Sequence, residues 1–214
     1  MTNIPLYGVN GMKRIFFVFL VFVLAIGIIV VVYNSNDDKF DSHDEIAAII
    51  NGEHIYVSDI NRILEEYKDN ENISFESILN NSIDELLIVQ YGKRIGIEAS
   101  VNEIDERLSY FKNSFHDKYI ELLESGNLDK YRDNLENLIV YDKTIENVLS
   151  QCDDRITVDE NEALSWYKEN IDTDLTNFSK HKDMIVEKLQ DEKKRQVIEE
   201  FVIKLKEVGE VKIY

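Results

Sequence analysis

Four histidines, one cysteine and forty-two carboxylates are the side chains here that could do chemistry. The histidines are His43, His54, His116 and His181, and none has a second histidine or a cysteine at metal-ligand spacing. No glycine-rich phosphate loop and no G-x-S-x-G nucleophile elbow occurs. Cys152 is the only cysteine, so no intramolecular disulfide can form, and it reads as an isolated thiol at a helix end rather than a nucleophile. With so many carboxylates, a pair of them says little about acid–base catalysis. Asn72-Ile73-Ser74 and Asn80-Asn81-Ser82 match the glycosylation triplet, which is common by chance. The expectation is a protein without catalysis, cofactor or metal.

Aromatic residues are more informative. Phe111, Phe115, Tyr119 and Tyr131 fall near the tip of a helical arm. They can zip that arm together, or form an apolar surface, rimmed by acid, that holds unfolded chains. A surface of the second kind suits a chaperone, which binds many sequences weakly. The candidate binding residues are Phe111, Phe115, Tyr119, Leu122, Tyr131 and Leu135 on the arm, with Trp166 and Tyr167 on a later helix.

The arm itself is read from spacing. Ser100-Val101-Asn102-Glu103 is a capping box, serine at the cap and glutamate three residues on. Val101, Ile104, Leu108, Phe111, Phe115, Tyr119 and Leu122 then recur at threes and fours. Gly126-Asn127 turns the chain, and Leu128, Tyr131, Leu135, Leu138, Ile145 and Leu149 resume the rhythm, interrupted at Asp142. Two such helices joined by a short turn make an antiparallel hairpin over about residues 100–150. Its narrow apolar seam suits an arm better than a globular bundle.

The elements around the arm follow from the same rules. Residues 46–50 and 54–57 flank Asn51-Gly52, a tight-turn pair, and read as a small hairpin. Ser58 is a candidate cap for a helix carrying Ile60, Ile63, Leu64 and Tyr67 on one face. Asp69-Asn70-Glu71-Asn72 breaks it, and a second helix runs from Ser74 to about Gly96. Thr157-Val158-Asp159-Glu160 reads as another capping box, opening a helix with Leu164, Trp166, Tyr167 and Ile171. A long helix follows from about Phe178 to Lys206, its middle Asp191-Glu192-Lys193-Lys194-Arg195 expected to be solvated. Val211-Lys212-Ile213-Tyr214 reads as a last strand. A lone strand leaves its backbone groups unpaired, so it is expected to join 46–57 in one sheet.

Upstream lies the most apolar stretch of the chain. Residues Ile15 to Val32 are apolar except for Gly27. Eighteen residues of helix span about 27 Å, close to a bilayer's hydrocarbon thickness. Lys13 and Arg14 precede the run and Asn34-Ser35-Asn36-Asp37-Asp38 follow it, so the basic flank stays cytoplasmic and the rest is exported. A cleaved signal peptide has a shorter apolar region, and cutting after Ala25-Ile26-Gly27 leaves Ile28 to Val32 as a greasy terminus. No cysteine near the run offers a lipid attachment. The expected organisation is a cytoplasmic tail (1–14), a transmembrane anchor (15–33, ending at Tyr33), a polar linker (34–45) and a folded domain (46–214) outside the membrane. Residues 1–33 hold two basic and no acidic side chains, so the exported part carries 22 basic and 42 acidic residues, a net charge of −20. That charge repels nucleic acid and anionic headgroups and favours basic or neutral partners. Pro5 is the only proline, so helices beyond it can run long.

The order of these signals resembles a known family. Ala48-Ile49-Ile50-Asn51-Gly52-Glu53-His54-Ile55 resembles the opening VNGE-x-I of SurA/PrsA-type exported chaperones. Ile83 to Tyr91, continuing as Gly92-Lys93-Arg94-Ile95-Gly96-Ile97, looks like their helix before A-x-x-x-G-I. Ile97-Glu98-Ala99-Ser100-Val101-Asn102-Glu103-Ile104 is similar to their V-[ST]-x-x-E-[IV] element, and Thr157 to Tyr167 to V-T-D-E-E-I-x-x-Y-Y. The likeness covers about residues 46–214. It implies a mainly α fold, the SurA N-terminal-like chaperone domain, in which the first and last segments fold together. These foldases usually carry a parvulin prolyl isomerase domain of roughly a hundred residues between the Y-Y helix and the last long helix. Here only residues 170–177 fill that place, so prolyl isomerase activity is not expected. PrsA-like relatives are lipid-anchored, whereas this chain has an apolar run. The expected function is a membrane-anchored, extracytoplasmic holdase for unfolded or newly exported polypeptides. The alternative is a non-catalytic subunit of a cell-envelope complex that uses the same fold to bind one partner.

Overall fold

The computed structural model describes residues 44–67, 73–171 and 174–214. The expected cytoplasmic tail (1–14) and transmembrane anchor (15–33), and residues 34–43 of the expected linker, lie outside the described residues. No helix among the described residues is long and apolar enough to cross a membrane.

The described chain is mainly helical with one small antiparallel sheet. Strands β1 (Ile46–Ile50) and β2 (Glu53–Tyr56) are joined by Asn51 and Gly52, at φ 50° and 91°. Positive φ at both turn positions matches the twist of the flanking strands, and asparagine and glycine tolerate it. Strand β3 (Val211–Ile213) pairs antiparallel with β1, Ala48 opposite Ile213 and Ile50 opposite Val211. The order is β2-β1-β3, so the first and last elements of residues 46–214 share one sheet, as the orphan-strand argument requires. Asn51 reinforces the closure. Its backbone N–H donates to the Glu210 carbonyl at 2.9 Å, and its side-chain oxygen accepts from the Glu210 N–H at 2.8 Å. Its amide also donates to Gln90 at 2.7 Å.

The chain forms two compact units. One contains residues 44–45, 56–78 and 98–140; the other contains 46–55, 79–97 and 141–214. In the first, helix α1 (Val57–Glu66) buries Ile60 and Ile63. Ser58 does not cap it. The helix begins two residues too early, with Tyr56 at the cap position, and the Ser58 hydroxyl donates instead to the Asp44 carboxylate at 2.7 Å. Helix α2 (Phe75–Arg94) starts at a reciprocal pair, the Ser77 N–H bonding the Ser74 hydroxyl and the Ser74 N–H bonding the Ser77 hydroxyl. It ends as the glycine signal indicates. Gly96 is left-handed at φ 81°, and the Ile97 and Gly96 N–H groups close back onto the Gly92 and Lys93 carbonyls.

The arm comprises α3 (Val101–Ser114), α4 (His116–Glu124) and α5 (Leu128–Ser150). Both halves of the Ser100–Glu103 capping box are formed. Gly126 turns the chain at φ 74°. The outgoing limb is not one helix: Phe115, at φ −135° and ψ 52°, interrupts it and serves as the N-cap of α4.

In the second unit a short helix α6 (Asp153–Ile156) leads to α7 (Glu160–Asn170), and α8 (Phe178–Val208) returns to the sheet. The cap of α7 is Asp159, which accepts from the Glu162 N–H, not Thr157. The Thr157 hydroxyl is taken by the Asp153 carbonyl, because Thr157 closes α6. The charged middle of α8 is not simply solvated. Lys193 reaches Glu162 at 2.7 Å and the Thr157 carbonyl at 2.8 Å, bracing the start of α7. Lys206 pairs with Asp84 of α2. At Gly209 the chain passes so close to Leu87 and the Leu205 carbonyl that an added Cβ lies 3.2 and 3.0 Å from them.

Candidate functional site

The arm's seam is built from both limbs. Phe111, Tyr131 and Leu135 are buried at its centre, and Ile104, Leu108, Tyr119 and Leu122 pack against them, partly buried. The Phe111 and Tyr131 rings stand 4.5 Å apart at 34°, and Phe115 lies 5.7 Å from Phe111. Lys112 places its ammonium 5.3 Å from the Tyr119 ring centre. Phe111, Tyr131 and Leu135, expected as binding residues, therefore zip the hairpin. A ring that fills the seam cannot also lie open to another chain.

Trp166 and Tyr167 belong to the second unit and to a different cluster. Tyr167 is buried with Ala163, Ile185 and Leu189, and Trp166 packs at the margin. The Tyr167 hydroxyl donates to the Asp174 carbonyl at 3.3 Å, and its ring meets Phe178 edge-on at 5.5 Å. Lys188 covers the Trp166 ring at 4.6 Å. These two residues hold α7 against α8, and the structure does not bring them into the arm's cluster.

Exposed apolar surface appears elsewhere on the arm. Helix α4 has no buried residue, although four of its nine side chains, Tyr119, Ile120, Leu122 and Leu123, are apolar. Phe115 is 46% exposed, Leu123 44% and Ile120 36%, with Tyr110 of α3 also exposed. Ile120, Leu123 and Tyr110 are absent from the spacing argument because they fall off the three–four rhythm. That is the signal that could have found them, since an apolar residue outside the seam rhythm has no partner within the hairpin.

Two polar groups were also missed. In the second unit, Asp84 and Glu85 of α2 meet Tyr141 and Asp142 of α5, the residue that interrupts the arm's rhythm. Burial pushes the Glu85 carboxyl up to about 8, and the charges of Asp84 and Asp142 add to the shift. Glu85 thus keeps its proton at neutral pH. Burial, then Glu85, Asp142 and Asp84, also raises the Tyr141 hydroxyl. In the first unit, Lys130 and Asn134 are buried one turn apart on α5. Burial, with Arg62 nearby, lowers the Lys130 ammonium to about 8, while Asp59 opposes the shift. The Asn134 amide nitrogen has no hydrogen-bond partner.

Among the described residues no group of three or more histidine, cysteine or carboxylate side chains is arranged to hold a metal ion. His116 is exposed at the start of α4, His54 is exposed on β2, and the His181 Nδ1–H donates to the Asn177 carbonyl at 2.9 Å. Cys152 is a half-buried free thiol before α6, beside the Arg155 guanidinium that pairs with Glu200 at 2.8 Å. The arrangement best suited to contact another molecule is therefore the apolar surface of α4 and Phe115. No protein-family model matches the chain, and no curated protein matches it.

Proposed function

We propose that the chain is a membrane-anchored, extracytoplasmic holdase that binds unfolded or newly exported polypeptides on its helical arm, without a catalytic step. The observation that carries this reading is α4: a helix at the arm's end whose apolar residues are all left at least partly open. The resemblance of residues 46–214 to the chaperone domain of SurA/PrsA-type foldases supports it. So does the sheet that joins the first and last strands of that segment. The anchor rests on the apolar run Ile15–Tyr33 with its basic flank. The separation of α7 from α8 by residues 171–177 leaves no room for an isomerase domain.

The test uses the full-length chain in phosphatidylcholine nanodiscs. It is expected to slow aggregation of a chemically unfolded test protein at stoichiometric amounts, with empty nanodiscs as the reference. Absence of suppression at every ratio overturns the reading. A second reading, a dedicated subunit that binds one folded partner, is favoured by the burial of Phe111, Tyr131 and Leu135, which leaves a small open surface. It requires a single partner in cross-linked membranes and no effect on the unfolded test protein.

A further inference from the structure

Resting on the holdase reading, a more specific property follows from the order of side chains around α4. At about 100° per residue, Leu122, Tyr119, Leu123 and Ile120 lie within one arc of roughly 160°, with His116 of the first turn between Leu123 and Ile120. The seam takes up the Tyr119 and Leu122 side of that arc. Leu123 and Ile120 remain open on the other side, and Phe115 is also exposed, at the helix start. Directly beside Ile120 the surface changes character. Asp117, Glu121 and Glu124 stand at i, i+4 and i+7, all exposed, in one acidic stripe.

An open apolar strip bordered along its length by three carboxylates is complementary to a segment that is both apolar and basic. We propose that α4 is a docking surface for polypeptide segments in which large apolar residues alternate with lysine or arginine. Apolar side chains of the segment cover Phe115, Ile120 and Leu123, and its cations face Asp117, Glu121 and Glu124. The net charge of −18 over the whole chain acts in the same direction, steering cationic segments toward the protein from a distance. A second copy of this chain is a poorer occupant, since it would set acidic stripe against acidic stripe.

The test measures binding of two fluorescent twelve-residue peptides, one alternating leucine with lysine and one alternating leucine with glutamate, to the full-length chain in phosphatidylcholine nanodiscs. The lysine peptide is expected to bind about tenfold more tightly, what three exposed ion pairs can supply, and to lose that advantage at high salt. The charge-reversed variant D117K/E121K/E124K is expected to invert the preference. The variant I120S/L123S is expected to weaken both peptides while leaving the circular dichroism spectrum and unfolding midpoint unchanged. Equal binding of the two peptides overturns the charge selection while suppression of aggregation still stands. Unaltered binding by I120S/L123S places the surface elsewhere and overturns the assignment to α4. A change of sedimentation coefficient in that variant makes the face a contact between copies, which also overturns it. Loss of aggregation suppression in the unaltered chain is the separate failure of the holdase reading itself.

Discussion

At the residue scale, the least expected feature is a carboxyl that stays protonated. Glu85 holds its proton to about pH 8 in the folded chain, against 4.5 ordinarily. Below pH 4.5 both folded and unfolded states are protonated, and the group's contribution to stability is complete. As pH rises toward 8 the unfolded chain releases the proton first, so unfolding free energy falls across that window and levels off above it. Glu85→Gln keeps the shape and removes the titration. The variant is expected to match the parent near pH 4 and to exceed it by about 2 kcal/mol at pH 8, allowing for partial exposure of the site. Urea unfolding at pH 4, 6 and 8 measures this, and a parallel decline in both proteins would remove Glu85 as the cause. Lys130 has the opposite sign. Its folded value near 8 lies below the ordinary 10.5, so its cost is present below pH 8 and is relieved between the two values. None of this was legible in the sequence, where Asp142 only breaks a rhythm and Glu85 is one acid among many. Asp142 must be brought to the adjacent pair Asp84 and Glu85, from more than fifty residues away, before burial and both charges can act on Glu85.

At the scale of elements, the arm separates side chains that look alike. Phe111 and Phe115 are both aromatic and both on the expected seam rhythm. Phe111 is buried and Phe115 is not, because the helix breaks at Phe115 and α4 starts afresh. Phe111→Ala is therefore expected to lower unfolding free energy by about 3 kcal/mol, whereas Phe115→Ser changes it by less than about 0.5 kcal/mol. Thermal unfolding of both variants decides whether the interruption holds in solution. A cost for Phe115→Ser comparable to that of Phe111→Ala would mean a continuous helix. Helix ends were legible where a local motif sets them: Ser100–Glu103, Gly96 and Gly126 all act as their spacing indicates. Thr157 and Ser58 were misleading, since each hydroxyl had a competing acceptor from a neighbouring segment.

At the scale of the whole molecule, charge dominates. A net charge of −18, which is −20 beyond residue 33 and +2 before it, gives strong self-repulsion. Attractive pairs such as Lys193–Glu162 and Lys182–Glu160 offset only part of it, and they are partly or fully exposed. Raising sodium chloride from about 10 mM to 500 mM shortens the screening length from roughly 30 Å to under 10 Å. The melting temperature of the full-length chain is expected to rise by a few degrees over that range. A fall would mean that the ion pairs outweigh the repulsion. The same screening would weaken the proposed docking of basic segments on α4, so stability and that binding are expected to respond to salt in opposite directions.

The sequence by itself determined the local and periodic features: the Asn51-Gly52 hairpin, the two left-handed glycine stops, the Ser100 cap and the antiparallel arm. These depend on residues a few positions apart, and steric and hydrogen-bonding rules act at that range. It also implied that the last strand must join residues 46–57 in one sheet, because a lone strand leaves its backbone groups unpaired; that its partner is β1 came from the tertiary structure. Only the tertiary structure decided which apolar side chains are open. Spacing tells that Phe111, Phe115 and Tyr131 share a rhythm, but exposure depends on what the facing limb covers and on where a helix breaks. It likewise decided the protonation of Glu85, which arises from desolvation and from two carboxylates, one adjacent and one more than fifty residues away.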